Sequence, residues 1–321
     1  MGDHHTIEDE REKAGFWFEE DVLPGLKVKM ILKEISFNGE SKFQQVQIIK
    51  TVFGKTLVTD GKTQSAESDE KIYHESLVVP AMLKHGSPKR VFIGGGGELA
   101  TARECLRFPS VEEVVMVDID EVVVNICKEH LPTWGDGCWE DPRLNLIIGD
   151  AYSNFESIGG KFDVVIMDIS DPIEAGPGIA LYTKEFYDMV ASKLSPGGVF
   201  VTQSGSGDVH NFDDCMTAIN RTCREVFDCV APYTSSVPSF GGNWGFNMAW
   251  NSKDGEEKEE ELKSWKTCLD INDRIKSTSH HDYSFYDGET HLGMFNPAKQ
   301  LRRGMEKEER VITRDNPVFM Y

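Results

Sequence analysis

The chain has 321 residues, 39% of them apolar and 10% aromatic, enough to bury a sizeable core and too many for a chain that stays disordered. Asp and Glu number 54 against 34 Lys and Arg, and the resulting net charge of −20 at pH 7 repels a phosphate backbone, which argues against a general nucleic-acid binder. No run approaches the length of apolar sequence that a membrane-spanning helix needs, and the acidic stretch Met1–Glu20 has neither the basic start nor the apolar centre of a secretory leader.

In chain order, residues 1–25 read as a flexible charged arm. From Leu26 to Asp60, runs rich in Val, Ile, Phe and Thr are broken by Asn38-Gly39, Gly54-Lys55 and Asp60-Gly61, which are turn signals between strands. This predicts a small antiparallel β domain over residues 26–70, with a helix starting in Glu67–Lys84. From Lys89 strands and helices alternate. The strands are Val91–Ile93, Val114–Val117, Leu144–Ile148, Phe162–Met167 and Val199–Thr202. The helices are Glu98–Arg107, Glu121–Glu129, Leu181–Leu194 and Phe212–Phe227. Continuous apolar strands between helices predict a parallel sheet covered on both faces. The fold class is therefore α/β: the small β domain followed by a Rossmann-like, doubly wound sheet over residues 71–321. Gly245–Trp250 is expected to return antiparallel at the sheet edge, and Asp254–Glu261 to be a solvated acidic segment. The seven cysteines are an odd number with no Cys-x-x-Cys pair, which reads as reduced thiols in a cytoplasmic protein and offers no metal site.

Three strand ends carry chemistry. The first strand runs into Gly94-Gly95-Gly96-Gly97-Glu98, a G-x-G-x-x-A pattern from Gly95 to Ala100, and Asp118 follows 21 residues after Gly97. Such a turn lets a ligand approach the backbone while the acid accepts from a ribose diol; a tight turn without a ligand is the plainer reading. Glu98 at the head of a helix would repel a pyrophosphate and welcome a cation, which disfavours a nicotinamide dinucleotide. Asp150, in Gly149-Asp150-Ala151, is either a helix N-cap or an acceptor for an adenine amine. Asp168 and Asp171 end the strand Asp163–Asp168 and lead into a lid-like loop, Pro172 to Gly178. Carboxylates crowded at a strand end repel one another unless a cation joins them.

The set as a whole resembles the spermidine/spermine synthase family of aminopropyltransferases from Lys27 to about Trp250. The resemblance rests on Ser41-Lys-Phe-Gln44, Asp60-Gly61 with Gln64, Asp69-Glu-x-x-Tyr73-His74-Glu75, Gly95-Gly-Gly-Glu98, Val117-Asp-Ile-Asp120, Gly149-Asp-Ala151 and Asp168-x-x-Asp171-Pro172. Within the family the lengthened loop after Asp171, the Leu181–Tyr187 segment and Val237-Pro-Ser-Phe240 are most similar to plant-type thermospermine synthases.

The resemblance implies a methyltransferase-type sheet, a homodimer or homotetramer, and a nucleoside co-substrate, decarboxylated S-adenosylmethionine, with no prosthetic group and no metal. Gln44, the turn Gly95, Gly96, Gly97 with Glu98, Asp118, Ile119, Asp150, Ala151 and Pro177 would hold that donor. Gln64, Tyr73, His74, Glu98, Asp168, Asp171 and Phe240 would line the polyamine channel. Asp168 would be the general base, with Tyr73 and Asp171 beside it. Two residues depart from the common pattern: Leu99 stands where a glycine often follows the acid, and Phe240 where many spermidine synthases carry a tyrosine. The expected reaction is transfer of an aminopropyl group to spermidine, giving thermospermine and methylthioadenosine. A spermine or spermidine synthase, a putrescine-type N-methyltransferase, a nicotinamide-linked dehydrogenase and a non-catalytic polyamine binder are the rival readings.

Overall fold

The structure is a computed structural model describing residues 15–172, 176, 178–252 and 258–320. Two small antiparallel sheets come first. β1 (Trp17–Leu23) and β2 (Leu26–Ile31) form a hairpin; β3 (Glu34–Glu40), β4 (Gln45–Thr51), β5 (Gly54–Thr59) and β6 (Lys62–Ala66) form a four-stranded meander in chain order. β1 corrects the expected arm, since residues 17–23 are a paired strand. Its acidic surface hid an alternation in which Phe18, Glu20 and Val22 turn inward, and Pro24-Gly25 supplies the turn. Asn38-Gly39 is likewise no turn. Both residues pair inside β3, opposite Gln47 and Val46. Asp60-Gly61 is a turn as expected, with φ of 48° and 75° at its two centres, the backbone a tight hairpin requires.

The second part is a seven-stranded sheet in the order β12-β13-β11-β10-β7-β8-β9. The parallel strands are β7 (Arg90–Gly95), β8 (Glu113–Asp118), β9 (Leu144–Ile148), β10 (Phe162–Asp168) and β11 (Leu194–Ser206). β13 (Gly242–Trp250) returns antiparallel to β11, but it is not the edge: β12 (Cys229–Val237) pairs outside it. Pro232 and the polar run Thr234–Ser236 hid β12 in the sequence, and a strand containing proline is tolerated at an edge because it lacks one ladder donor.

Helices pack on both faces: α1 (Glu70–His85), α2 (Ala100–Leu106), α3 (Glu121–His130), the single turn α4 (Pro132–Gly135), α5 (Ala151–Ser157), α6 (Lys184–Lys193) and α7 (Met216–Arg224). The expected single helix over Leu181–Leu194 is a 3₁₀ turn, Ile179–Tyr182, and then α6, whose N-cap is the Thr183 side chain. The chain leaves β7 on one side to build β8 and β9 and returns on the other to build β10 and β11. The carboxyl ends of β7 and β10 therefore flank the switch point where open α/β sheets bind ligands.

The last part carries α8 (Lys258–Lys266), α9 (Ile271–Thr278), α10 (Gly288–Met294) and α11 (Lys299–Lys307). The expected acidic segment falls partly outside the described residues. Its remainder is the start of α8, where Glu261 accepts from Lys84 and from the Trp250 indole. The final stretch docks back on the sheet: the Met320 amide donates to the Pro172 carbonyl at 2.8 Å. No helix among the described residues is long and apolar enough to cross a membrane. All seven cysteines are buried.

Candidate active site

The first third of α1 organises the site, because helical spacing sends its residues in several directions from one turn. Asp69, just before the helix, accepts the Ser239 amide and hydroxyl at 2.7 and 2.8 Å and so fixes the turn that carries Phe240. Glu70 accepts the Arg103 guanidinium at 2.9 Å and the His74 Nδ1 at 3.2 Å. The Tyr73 hydroxyl donates to Asp168 at 2.7 Å. His74 reaches Glu98 with its other nitrogen at 3.1 Å. Glu75 accepts three consecutive amides, Ser284 to Tyr286, and ties down the last part of the chain.

The glycine turn wraps Asp168. The Gly96 amide donates to the Asp168 carbonyl at 2.9 Å. Gly95 has a φ of +82°, and a Cβ on it would lie 2.1 Å from that same carbonyl, so only glycine fits. Leu99, which departs from the common pattern, sits fully buried with a φ of +73°. A leucine held in that left-handed region stores strain of about 1 kcal/mol or more, offset here by burial of its side chain. The helix begins only at Ala100, so Glu98 is not in a capping position as the sequence suggested; it is aimed at His74.

These contacts set the charges. Burial opposes ionisation of Glu70, but His74 and Arg103 outweigh it and hold its carboxyl down at about 2. Burial also opposes the His74 imidazolium, yet Glu70 and Glu98 raise it to about 10, so His74 carries a proton. Burial pushes Asp168 up to about 6 and the charge of Glu98 adds to that; His74, the Thr101 hydroxyl at 2.5 Å and Tyr73 pull the other way. Asp118 is raised by burial to about 7 despite accepting the Asp120 amide at 2.8 Å. Burial lifts Asp171 to about 6 against the Gln203 amide at 3.0 Å and the charge of Lys62. Such a site favours an arriving cation, whose charge lets these carboxyls ionise.

The open space has two joined lobes. The first, about 740 Å³ including its mouth, is lined by Gln44, Gln64, Gly95, Gly96, Gly97, Glu98, Asp118, Ile119, Asp150, Ala151 and Asp168. The second, about 1560 Å³, is lined by Gln64, Tyr73, Ile119, Asp171, Gln203, Phe240 and Trp244, with Glu20, Lys62 and Met320 on other walls. Gln44, Thr59, Gln64, Ile119, Ile169, Ser170 and Gly178 belong to both.

The structure therefore brings together most of the expected residues, with two exceptions. His74 lines neither lobe; it is fully buried behind Glu98, because the helix turns it toward Glu70 and away from the opening. Pro177, like Glu174 in the lid-like loop, lies outside the described residues. Asp150 serves as the N-cap of α5, accepting the Ser153 amide at 2.8 Å, and also lines the first lobe. The ligand atoms of His74, Glu98 and Asp168 fall within 4.8 Å of one another, a spacing that suits a metal ion. A protonated His74 with both nitrogens on acceptors has no lone pair to give, so the donor set does not fit one.

Three residues had no role assigned from the sequence, Asp120 among them although it stands in the Val117-Asp-Ile-Asp120 motif. Asp120 accepts from Ser41 at 2.6 Å and from Gln44 at 2.9 Å while capping α3, so it sets Gln44 over the first lobe. Gln203 donates to Asp171 and accepts the Trp244 indole at 3.1 Å. A glutamine ending the apolar run of β11 was the available signal. Glu20 belonged to the segment read as an arm.

Comparison with known proteins agrees with this geometry. Residues 70–261 match the spermine/spermidine synthase domain and residues 16–67 the spermidine synthase tetramerisation domain. A polyamine aminopropyltransferase from Aeropyrum pernix is 42% identical over 95% of this chain and 95% of its own. Thermospermine synthase ACAULIS5 from Arabidopsis thaliana is 38% identical over 95% of this chain and 87% of its own. A crystal structure of spermidine synthase in complex with the transition-state analogue AdoDATO superposes with a TM-score of 0.80 at 25% identity, covering 92% of this chain and 96% of that one. The chain belongs to the spermine/spermidine synthase family of polyamine aminopropyltransferases.

Proposed function

We propose that the enzyme transfers the aminopropyl group of decarboxylated S-adenosylmethionine to spermidine, releasing methylthioadenosine and giving thermospermine. The observation that carries this reading is the Tyr73–Asp168 hydrogen bond: Asp168 lines the first lobe and Tyr73 the second, so one contact stands where two substrates would meet. The donor's nucleoside belongs in the first lobe, with Asp118 toward the ribose diol, Asp150 toward the adenine and Glu98 toward the cationic side chain. The amine lies in the second. Its nitrogen, an ammonium near pH 7, gives a proton to the Asp168 carboxylate and attacks the propyl carbon. The C–N bond forms as the C–S bond breaks, the electron pair goes to sulfur, and a neutral thioether leaves. Holding both cations in contact supplies a further part of the rate.

Spermidine as acceptor is supported by the size of the second lobe, by Phe240 in place of a tyrosine, and by the similarity to ACAULIS5. Phe240 packs edge-on against Tyr73 and Trp244, with centroids 5.5 and 4.8 Å away, and offers no hydroxyl to a short diamine. The kcat/KM for spermidine is expected to exceed that for putrescine by roughly 10- to 100-fold, the discrimination that an unpaired buried polar group imposes. A preference for putrescine overturns the acceptor assignment. Spermine and thermospermine are isomers, so the product is identified by chromatography against both standards; spermine would make this a spermine synthase.

Asp118→Asn is expected to raise the donor KM at least about tenfold and to leave the amine KM near its original value, since a good charged hydrogen bond contributes about 1.5–3 kcal/mol. Donor titration at saturating amine checks this; loss of amine affinity alone would reverse the assignment of the two lobes. Assembly through the N-terminal strands is supported by the match to the tetramerisation domain and by the exposed Phe16, Trp17, Ile35 and Val52 there.

A further inference from the structure

We propose that Thr101, on α2, is a positioning residue for the proton transfer: its hydroxyl holds one oxygen of the Asp168 carboxyl and so keeps the other turned toward the amine. This inference rests on the aminopropyl-transfer reading of the site. The two oxygens of Asp168 have separate partners, and that is the first ground. Oδ1 accepts the Tyr73 hydroxyl at 2.7 Å, and Tyr73 lines the second lobe. Oδ2 accepts the Thr101 hydroxyl at 2.5 Å, and Thr101 is fully buried, outside the lining of either lobe. A Cβ on Gly96 would stand 3.2 Å from Oδ2 and 3.6 Å from the Thr101 Cβ, so the glycine turn closes over that side of the carboxyl. One oxygen is thus held in the wall, and the other is left where the two lobes meet.

The chemistry of the transfer is the second ground. The torsion that sets the plane of an aspartate carboxyl is broad and roughly two-fold, so one hydrogen bond from Tyr73 does not fix that plane. A second donor on the opposite oxygen does. When the ammonium gives up its proton, an N–H bond breaks, an O–H bond forms on Oδ1, and the electron pair stays on nitrogen for the attack on carbon. Oδ1 can take that proton beside the Tyr73 bond, because a carboxylate oxygen offers about two lone-pair sites. Oδ2 remains an acceptor in the acid, so the Thr101 bond persists before and after the transfer. Of the first three residues of α2, Ala100, Thr101 and Ala102, all fully buried, Thr101 alone has a polar side chain. The other groups facing Asp168 are His74 on α1, Glu98 in the turn, Cys105 on α2, Asp118 on β8 and Tyr182 before α6, and His74 is the one cation among them. Removing a donor from such a carboxyl disfavours its ionised form.

The test compares Thr101→Val and Thr101→Ser in the full-length enzyme. Methylthioadenosine release is followed from acid to alkaline pH at saturating decarboxylated S-adenosylmethionine and spermidine. Thr101→Val keeps the shape and removes the hydroxyl; Thr101→Ser returns the hydroxyl without the methyl. In Thr101→Val the rising limb of kcat is expected to move to higher pH. On the alkaline plateau, where Asp168 is ionised in every form, its kcat is expected to stay at least about tenfold below that of the unaltered enzyme, since the loss is one of orientation. Thr101→Ser is expected to recover the plateau to within threefold. Methylthioadenosine affinity, measured by calorimetry, should stay within twofold in both variants. If the Thr101→Val plateau equals the original, the hydroxyl sets only the proton affinity of Asp168 and the positioning role falls. It falls equally if Thr101→Ser loses as much as Thr101→Val, or if methylthioadenosine binding weakens along with turnover, because packing is then the cause. If the unaltered enzyme binds methylthioadenosine but releases none from this pair of substrates, the transfer reading fails first and takes the role of Thr101 with it.

Discussion

Asp168→Asn is expected to lower kcat at least ~100-fold while leaving the donor KM within about threefold, the low end of what loss of a general base removes. Asp168 accepts Tyr73 on one oxygen and Thr101 on the other, so the substitution keeps one of these acceptors, turns an amide toward the other hydroxyl, and removes the site for the proton. Asp168 lies at the end of β10, its backbone locked to the glycine turn, so the fold has little reason to move. The pH profile supplies the second readout. A base must be ionised, and Asp168 is raised by burial and by Glu98 to about 6, so kcat/KM should climb as pH rises through about 6. Tyr73→Phe removes a donor that favours the ionised form, and the rising limb should then move to higher pH. Both are read from methylthioadenosine release against pH. Near-normal turnover in Asp168→Asn, or an unmoved limb in Tyr73→Phe, would exclude this pair from proton transfer.

Arg103→Met is expected to cost about 3–5 kcal/mol of stability, the range measured when one partner of a buried ion pair is removed. Arg103 bridges Glu70 at 2.9 Å and Glu104 at 2.8 Å, and also donates to the Trp134 carbonyl at 2.5 Å. All three charged side chains are buried, and Met fills similar volume, so the loss isolates the charge. Glu104 keeps Arg107 at 2.9 Å and Glu70 keeps His74, which limits the cost. Because His74 also holds Glu98, the damage should extend to the first lobe and raise the donor KM in the folded fraction. Chemical denaturation measures the first effect; a change under 1 kcal/mol would show that the network is dispensable. The network stabilises a catalytic arrangement more than it adds to the core, since buried ion pairs seldom outperform apolar packing.

Much of this protein was legible in one dimension. Apolar strands separated by helices at regular intervals leave few folds other than a doubly wound sheet, because each such strand must be covered on both faces. The ends of those strands then mark the ligand site, and Asp118, Asp150 and Asp168 all stand there. Short-range chemistry was equally readable, as with Asp60-Gly61, where two positive φ values demand those residue types. Partnerships between segments distant in sequence were decided only by the tertiary structure. A carboxylate at 70 meets a guanidinium at 103, an acid at 120 meets an amide at 44, and the amide of Met320 meets the carbonyl of Pro172. His74 shows the difference most plainly. Its motif suggested a channel wall, but helix rotation puts it behind Glu98, where two acids make it a buried cation. Glu20 is the converse case: an acidic segment read as solvated is a strand, because alternation matters more than composition once a partner strand lies beside it. Periodicity and turn chemistry are properties of neighbouring residues; charge, burial and proton affinity belong to whichever residues the fold brings into contact.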